Sequence, residues 1–266
     1  MWPSFSLNLL LIYAIVFVLG MLNIIVENKK WMILMASKFS FASHFKALLA
    51  GNAISLFLPY RAGEYLGRIL HFTKKKWANV ISSSMQSGLL QLACTIILGI
   101  ICLPLALKLL SPLFILIGFS SVWIWVISIA ILLILAIFFS YLPRLIKAVK
   151  IKFIIKHKIS FSKKAISISL LLSLLRYLIF SFQYIIVLHY FDAMNWKMVC
   201  INLPVFLLLQ TVIPTMVLSD IGLRFLLSFY LLGGQLALFP VFIIYCVNIF
   251  LPALVGVFFI HKKFRQ

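Results

Sequence analysis

Acidic side chains are scarce in this chain. Four occur in 266 residues, against 24 lysines and arginines, and the formal net charge is +20. The four are Glu27, Glu64, Asp192 and Asp220. With four acids in total, an enzyme that uses a pair of carboxylates would have to use Glu64 together with Asp220.

The sequence also lacks the motifs of the common enzyme and metal-binding classes. Its four cysteines all lie in apolar stretches and form no Cys-x-x-Cys pair, and there is no His-Glu-x-x-His, Gly-x-Ser-x-Gly or phosphate-loop pattern. No basic segment interleaved with aromatics is long enough to suggest a nucleic-acid reader. We therefore expect no enzymatic activity, no metal, no cofactor and no nucleic-acid partner.

Apolar residues make up 65% of the chain, and its mean hydropathy is +1.19. Several apolar runs approach or exceed the roughly 20 residues that cross a bilayer as a helix. This composition predicts an all-α polytopic membrane protein, built as a single transmembrane domain over residues 1–266. We divide it into a first half (1–142), a basic cytoplasmic segment (143–164) and a second half (165–266).

The hydropathy pattern predicts about seven transmembrane helices. They cover Leu7–Val26, Val80–Leu107, Leu113–Tyr141, Ala165–Tyr190, Val199–Val217, Ile221–Leu238 and Val241–Ile260. The last three segments could instead form one span plus a re-entrant hairpin. We interpret Glu27 to Lys30 as a polar stop after the first span and Trp31 as an interface anchor. Met32–Ala50 is interrupted by charged residues and is predicted to be an interfacial or partly buried helix.

The basic side chains predict an orientation. Most lie between the first and second spans, between the third and fourth spans, and after the last span. They include Lys29, Lys30, Lys74 to Lys76, eight in residues 144–164, and the C-terminal Lys262, Lys263 and Arg265. Under the positive-inside rule these segments are cytoplasmic, which places the N-terminus outside and the C-terminus inside. The same charges favour contact with anionic lipid headgroups.

One motif stands out, NAISLFLPYRAGEYLGR at residues 52–68. It sets Arg61, Glu64 and Arg68 beside Pro59 and Gly63 in an otherwise apolar region. A charged residue at membrane depth costs about 2.5–3.5 kcal/mol on insertion scales, so such residues face cavities or pair internally. Asn52 opens the motif, and the prolines and glycines predict a broken or re-entrant helix near residues 50–64.

A second segment repeats this pattern in the other half of the chain. Pro214 precedes Asp220, Gly222 and Arg224, and a second broken or re-entrant segment is predicted near residues 210–224. Glu64 with Arg68 and Asp220 with Arg224 are both spaced by four, which suits ion pairs on one helix face. Interrupted helices in corresponding halves indicate an internal repeat with a ligand site at the membrane midplane. The alternative is that the two ion pairs only hold helices together.

Arg176 lies about twelve residues into its predicted span. Asp220 or Glu64 could neutralise it at a functional site, or it could form a structural ion pair between helices. Arg61 is interpreted as a contact to a lipid phosphate or as an arginine that reaches to the interface. Buried amides such as Gln183 and Gln210 are predicted to form hydrogen bonds between helices.

The run GNAISLFLPYRAGEYLGRILHF resembles the lysylphosphatidylglycerol synthase transmembrane-region family, a flippase-like membrane domain. The resemblance rests on Asn52, Leu58, Pro59, Arg61, Gly63 and Glu64, with the later arginine displaced to Arg68. The segment VIPTMVLSDIGLRFLL is similar to the family's second motif. Family members often carry an acid–Arg pair where this chain has Ser84-Met85-Gln86-Ser87.

The resemblance implies a flippase-like protein that binds or translocates an anionic phospholipid or a lipid-linked substrate. The residues expected to bind lipid are Asn52, Pro59, Arg61, Gly63, Glu64, Arg68, Arg176, Pro214, Asp220, Gly222 and Arg224. Two alternatives stay open: a membrane scaffold that supports a lipid or polysaccharide synthase, and a membrane-embedded lipid-modifying transferase.

Overall fold

The computed structural model describes residues 7–36, 40–58, 62–109, 163–213 and 217–264. Within these ranges the chain is helical and contains no β-strand, as predicted. The α-helices are α1 (Leu7–Met35), α2 (Phe41–Ser55), α3 (Ala62–Ile69), α4 (Trp77–Leu109), α5 (Lys163–Tyr190), α6 (Trp196–Val212), α7 (Val217–Leu231), α8 (Leu238–Tyr245) and α9 (Leu251–Phe264). A π-helical segment, Cys246–Phe250, joins α8 to α9 without a break.

Four helical stretches among the described residues are long and apolar enough to cross a membrane. They are Leu7–Met35, Lys74–Ala106, Lys163–Tyr190 and Gly234–His261. Large apolar side chains on them face outward, for example Leu171 at 67% exposure and Phe258 at 74%. The predicted span Leu113–Tyr141 and nearly all of the basic segment 143–164 lie outside the described residues, so the count of seven remains a prediction.

The first helix does not end where the sequence predicted. α1 continues through Glu27 to Met35, and both Lys30 and Trp31 are completely buried. The interpretation as a polar stop with an interface anchor is therefore wrong, and Lys30 does not belong among the cytoplasmic surface charges. The last helical residue is Met35, and Ala36, with a φ of 47°, follows it in the left-handed conformation. Asn79 donates a hydrogen bond to the backbone carbonyl of Met35.

The sequence motif folds into two short helices that pack backbone against backbone. The chain breaks between α2 and α3, as the Pro59 region predicted, although re-entry into a bilayer remains a prediction. A Cβ at Gly67 would lie 2.4 Å from the carbonyl oxygen of Ala50, and one at Gly63 would lie 2.3 Å from the carbonyl carbon of Ile54. The motif's glycines therefore serve close helix packing.

Trp31 is the centre of the core beneath this helix pair. It packs with Met35, Ala47, Ile69, Phe72 and Val80. Its ring makes edge contacts with His44 and Phe72, and its indole N–H donates to Ser83 Oγ at 3.0 Å. The larger core lies between α5, α6, α7 and α8 and includes Tyr184 and Phe206. Trp31 thus connects α1, α2, α3 and α4 next to the charged residues described below.

We expect Gly67→Ala to lower the free energy of unfolding by about 2 kcal/mol, because its methyl group would overlap the α2 backbone. Gly88→Ala is the matched control: a Cβ there would meet only Tyr65 Oη at 4.0 Å, and alanine improves helix propensity. Thermal unfolding in detergent micelles measures both. Equal effects of the two substitutions would show that α2 and α3 do not pack as described.

Candidate functional site

The Glu27 carboxylate lies at the centre of the largest group of charges among the described residues. Its Oε2 is 2.7 Å from Lys30 Nζ and 2.5 Å from Arg176 Nη1. Its Oε1 is 3.6 Å from Arg68 Nη2 and accepts a hydrogen bond of 2.8 Å from Ser87 Oγ. One carboxylate of α1 therefore joins cations from α1, α3 and α5 to a hydroxyl of α4.

Arg68, from the sequence motif, is 2% exposed yet loosely bonded. Its Nη2 lies 3.4 Å from Glu64, which confirms the predicted pair at a spacing of four. Its Nη1 donates to Ser84 Oγ at 3.2 Å, and its buried Nε has no hydrogen-bond partner. Charge-assisted hydrogen bonds are usually 2.7–2.9 Å long. The guanidinium, which also lies over the Trp31 ring at 4.9 Å, thus keeps donor capacity that its neighbours do not use.

The serines of α4 supply the polar surface on which these charges rest. Ser84 accepts a hydrogen bond from Arg68, and the Ser87 hydroxyl donates one to Glu27. The backbone carbonyl of Ser87 accepts a hydrogen bond from Lys30 Nζ at 3.2 Å.

Arg176 is held by α1 and not by the acids the sequence suggested. Its Nε donates to Asn23 Oδ1 at 2.7 Å, and its Nη1 pairs with Glu27. The interpretation that Asp220 or Glu64 neutralises it is wrong. Asn23 and Glu27 are one helical turn apart on α1, so a single helix face receives both edges of the guanidinium.

We call Glu27, Lys30, Glu64, Arg68 and Arg176 the Glu27 cluster. It holds three cations and two carboxylates. Lys30 and Arg68 are essentially inaccessible, whereas the side chains of Arg176 and Glu64 are 23% and 24% exposed. The cluster therefore carries a net positive charge at a buried position and opens toward the surroundings at Arg176 and Glu64.

The second predicted pair, Asp220 with Arg224, is also confirmed. Arg224 Nε donates to Asp220 Oδ2 at 2.8 Å, and Gln210 Nε2 donates to the same carboxylate at 3.2 Å. The Arg224 guanidinium is 2% exposed and lies between the phenol oxygen of Tyr184, at 3.5 Å, and the ring of Tyr245. This pair contains one carboxylate and one cation, so its formal charges cancel.

The two charged groups lie at different levels of α5. Arg176 belongs to the first and Tyr184 contacts the second, and eight residues of helix separate their Cα atoms by about 12 Å. The two groups therefore lie at different heights along α5.

The remaining predicted site residues have different positions. Gly63 packs against α2, Asn52 is half-buried, and a Cβ at Gly222 would meet no atom within 4 Å. Pro59, Arg61 and Pro214 lie outside the described residues.

Sequence reasoning missed Glu27, Lys30 and the amides that accompany them. One signal was available: Glu27 is one of only four acids, and Lys30 follows it at a spacing that suits an ion pair on a helix. Burial of Lys30 reverses its role, from a surface charge to a member of the cluster. Among the described residues, no group of three or more His, Cys, Asp or Glu side chains is placed to hold a metal.

A scan against protein-family models, a search of curated proteins and a search of solved structures each gave no match to this chain.

We expect Glu27→Gln to lower the free energy of unfolding by about 3 kcal/mol, because it leaves buried cations without their shared carboxylate. Asp192→Asn removes the same charge at a turn with φ 50°, where asparagine is tolerated, and should change stability little. Thermal unfolding of both variants in one detergent gives the comparison. A Glu27→Gln protein as stable as the wild type would mean that the carboxylate does not hold these cations together.

Proposed function

We propose that this protein is a flippase-like integral membrane protein, in which the Glu27 cluster binds an anionic phospholipid or lipid-linked headgroup and lets it pass between leaflets. The observation that carries the proposal is the cluster itself: three cations gathered on buried faces of helices whose outer surfaces are apolar. Intramembrane ionisable residues usually mark a substrate or ion pathway.

The sign of the charge favours an anionic ligand. The cluster has one more cation than carboxylates, and a low-dielectric environment strengthens the attraction of the excess charge for an anion. Two of the cations are arginines, whose planar donors match phosphate and carboxylate oxygens in pairs. A phosphate-bearing headgroup would supply the oxygens that the cluster lacks.

The unequal bonding of the arginines supports a route for the ligand. Arg176 is the partly exposed cation of the cluster, and Arg68, which is buried, is the cation with long bonds and an unpartnered Nε. A headgroup that first meets Arg176 could continue to Arg68, while Glu27 and Glu64 balance the cations when no ligand is bound. The acyl chains would stay in the lipid along the apolar helix faces.

The topology belongs to the same proposal. We propose about seven spans in a bacterial or archaeal cytoplasmic membrane, with the N-terminus outside, the C-terminus inside, and re-entrant segments near the two helix breaks. The breaks between α2 and α3 and between α6 and α7 support the re-entrant segments. The distribution of the basic residues along the sequence, without Lys30, supports the orientation.

Leaflet exchange in liposomes tests the proposal. Purified protein is reconstituted with fluorescent phosphatidylglycerol or phosphatidylcholine, and the fraction of label accessible to a membrane-impermeant quencher is followed over time. We expect the wild type to accelerate exchange of the anionic lipid, and Arg176→Ala to slow it by about tenfold, equivalent to ~1.4 kcal/mol. Glu64→Gln should alter the rate as well, because Glu64 borders the opening.

Lys197→Ala is the matched control, since it removes a cation that lies over Trp196, far in sequence from the cluster. It should exchange lipid like the wild type. No exchange of either lipid, or of an aminoacylated lipid, by folded protein would contradict the proposal and favour the scaffold. Mass spectrometry of the same lipids distinguishes the transferase, which would leave a covalently altered product.

A further inference from the structure

A line of three amide side chains, of which Asn23 and Gln183 are buried, runs from the Glu27 cluster into the protein. Arg176 Nε donates to Asn23 Oδ1, Asn23 Nδ2 donates to Asn248 Oδ1 at 3.2 Å, and Asn248 Nδ2 donates to Gln183 Oε1 at 3.0 Å. Gln183 Nε2 completes the line by donating to the backbone carbonyl of Val16 at 2.8 Å. We call Asn23, Asn248 and Gln183 the amide line. It joins α1, α5 and the π segment.

The two ends of the line fix the direction of every amide in it. A guanidinium can only donate and a backbone carbonyl can only accept. Each amide therefore turns its oxygen toward Arg176 and its NH₂ group toward Val16. Because the dipoles point the same way, each bond polarises the next, and the oxygen of Asn23 becomes a better acceptor for Arg176.

Asn248 is the most firmly held member of the line. It lies in the π segment, and its Nδ2 donates to the carbonyl of Ile244 at 3.0 Å as well as to Gln183. Single π turns inside α-helices frequently occur at functional sites. Gly20 lets α1 approach this segment, since a Cβ there would lie 2.5 Å from the side chain of Val247.

We propose that Asn248 is a positioning residue of the anion site: through Asn23 it orients the guanidinium of Arg176 toward the opening of the Glu27 cluster. This inference rests on the proposed function. Without Asn248 the NH₂ group of Asn23 loses its acceptor, so one of the two hydrogen bonds that hold the Asn23 oxygen in place for Arg176 is gone. The guanidinium would then leave the position in which it meets the ligand.

A double-mutant cycle on affinity tests this role. A fluorescent short-chain phosphatidylglycerol is titrated against purified protein in detergent, and fluorescence anisotropy gives Kd for the wild type, Asn248→Leu, Arg176→Ala and the double variant. We expect Asn248→Leu to weaken binding about fivefold in the wild type and to have no further effect in the Arg176→Ala protein. Thermal unfolding of the same four proteins should show that the loss of stability from Asn248→Leu persists in both backgrounds.

Asn202→Leu is the matched control, because Asn202 is a buried asparagine of α6 that donates to Met194 Sδ outside the amide line. It should leave Kd unchanged. If Asn248→Leu does not fold, Asn23→Leu, which removes the acceptor of Arg176 directly, takes its place in the cycle with the same expected non-additivity.

Three results would overturn the inference. Equal weakening by Asn248→Leu with and without Arg176 would assign Asn248 a structural role only. An unchanged Kd in folded Asn248→Leu protein would show that the amide line does not position Arg176, while wild-type binding would still support the proposed function. Absence of phosphatidylglycerol binding by the wild type would remove both the anion site and its positioning residue.

Discussion

The need to neutralise buried cations at one point determines how α1, α3, α4 and α5 pack together. A carboxylate out of water is costly unless opposite charges and hydrogen bonds surround it, and the same holds for each cation. Glu27 meets this requirement with Lys30, Arg68, Arg176 and Ser87, which come from four different helices. Because no subset of these helices completes the set, α1, α3, α4 and α5 must be in register before the charges are satisfied.

Close packing makes that register attainable. The guanidinium of Arg68 reaches Glu27 only because α3 lies directly on α2, where glycines replace side chains at the contact. Trp31, one residue after Lys30, fills the space beside the cluster and covers the Arg68 guanidinium. Apolar contact and charge pairing therefore depend on the same few residues of α1. An ion pair whose partners are held by packing gives up little side-chain entropy on formation, unlike a pair on a surface.

The sequence predicted the features that depend on local spacing. Apolar runs predicted the helical class, and the spacing of four predicted the pairs Glu64–Arg68 and Asp220–Arg224. It could not predict pairing across the chain. Arg176 lies 149 residues from its partner Glu27, and the local context of Glu27, with two lysines and a tryptophan nearby, is that of a membrane boundary. Burial decides between these interpretations, and burial depends on which helices pack together.

The role of the glycines in the motif could not be decided from the sequence either. Gly63 and Gly67 are compatible with a broken helix near a ligand or with close packing of two helices, and both interpretations use the absence of a Cβ. Only the position of the α2 backbone, 2.3–2.5 Å from where the Cβ atoms would lie, selects packing. Arg68, directly after Gly67, then reaches Glu27 of α1 and Ser84 of α4 because another face of α3 packs against α2.

An anion site inside a membrane protein has to be stable when it is empty, and under the proposed function this requirement would explain why Glu27 lies among the cations. Cations without counter-ions would repel one another and open the structure, so a resident carboxylate has to take the place of the ligand's charge. A resident carboxylate that satisfied every donor would exclude the ligand. The described bonds avoid both extremes: Lys30 and Arg176 are tightly paired, whereas Arg68 lies 3.6 Å from Glu27 and 3.4 Å from Glu64 and leaves Nε unused. Residual donor capacity on one buried arginine is thus the feature that separates a binding site from a purely structural group of ion pairs.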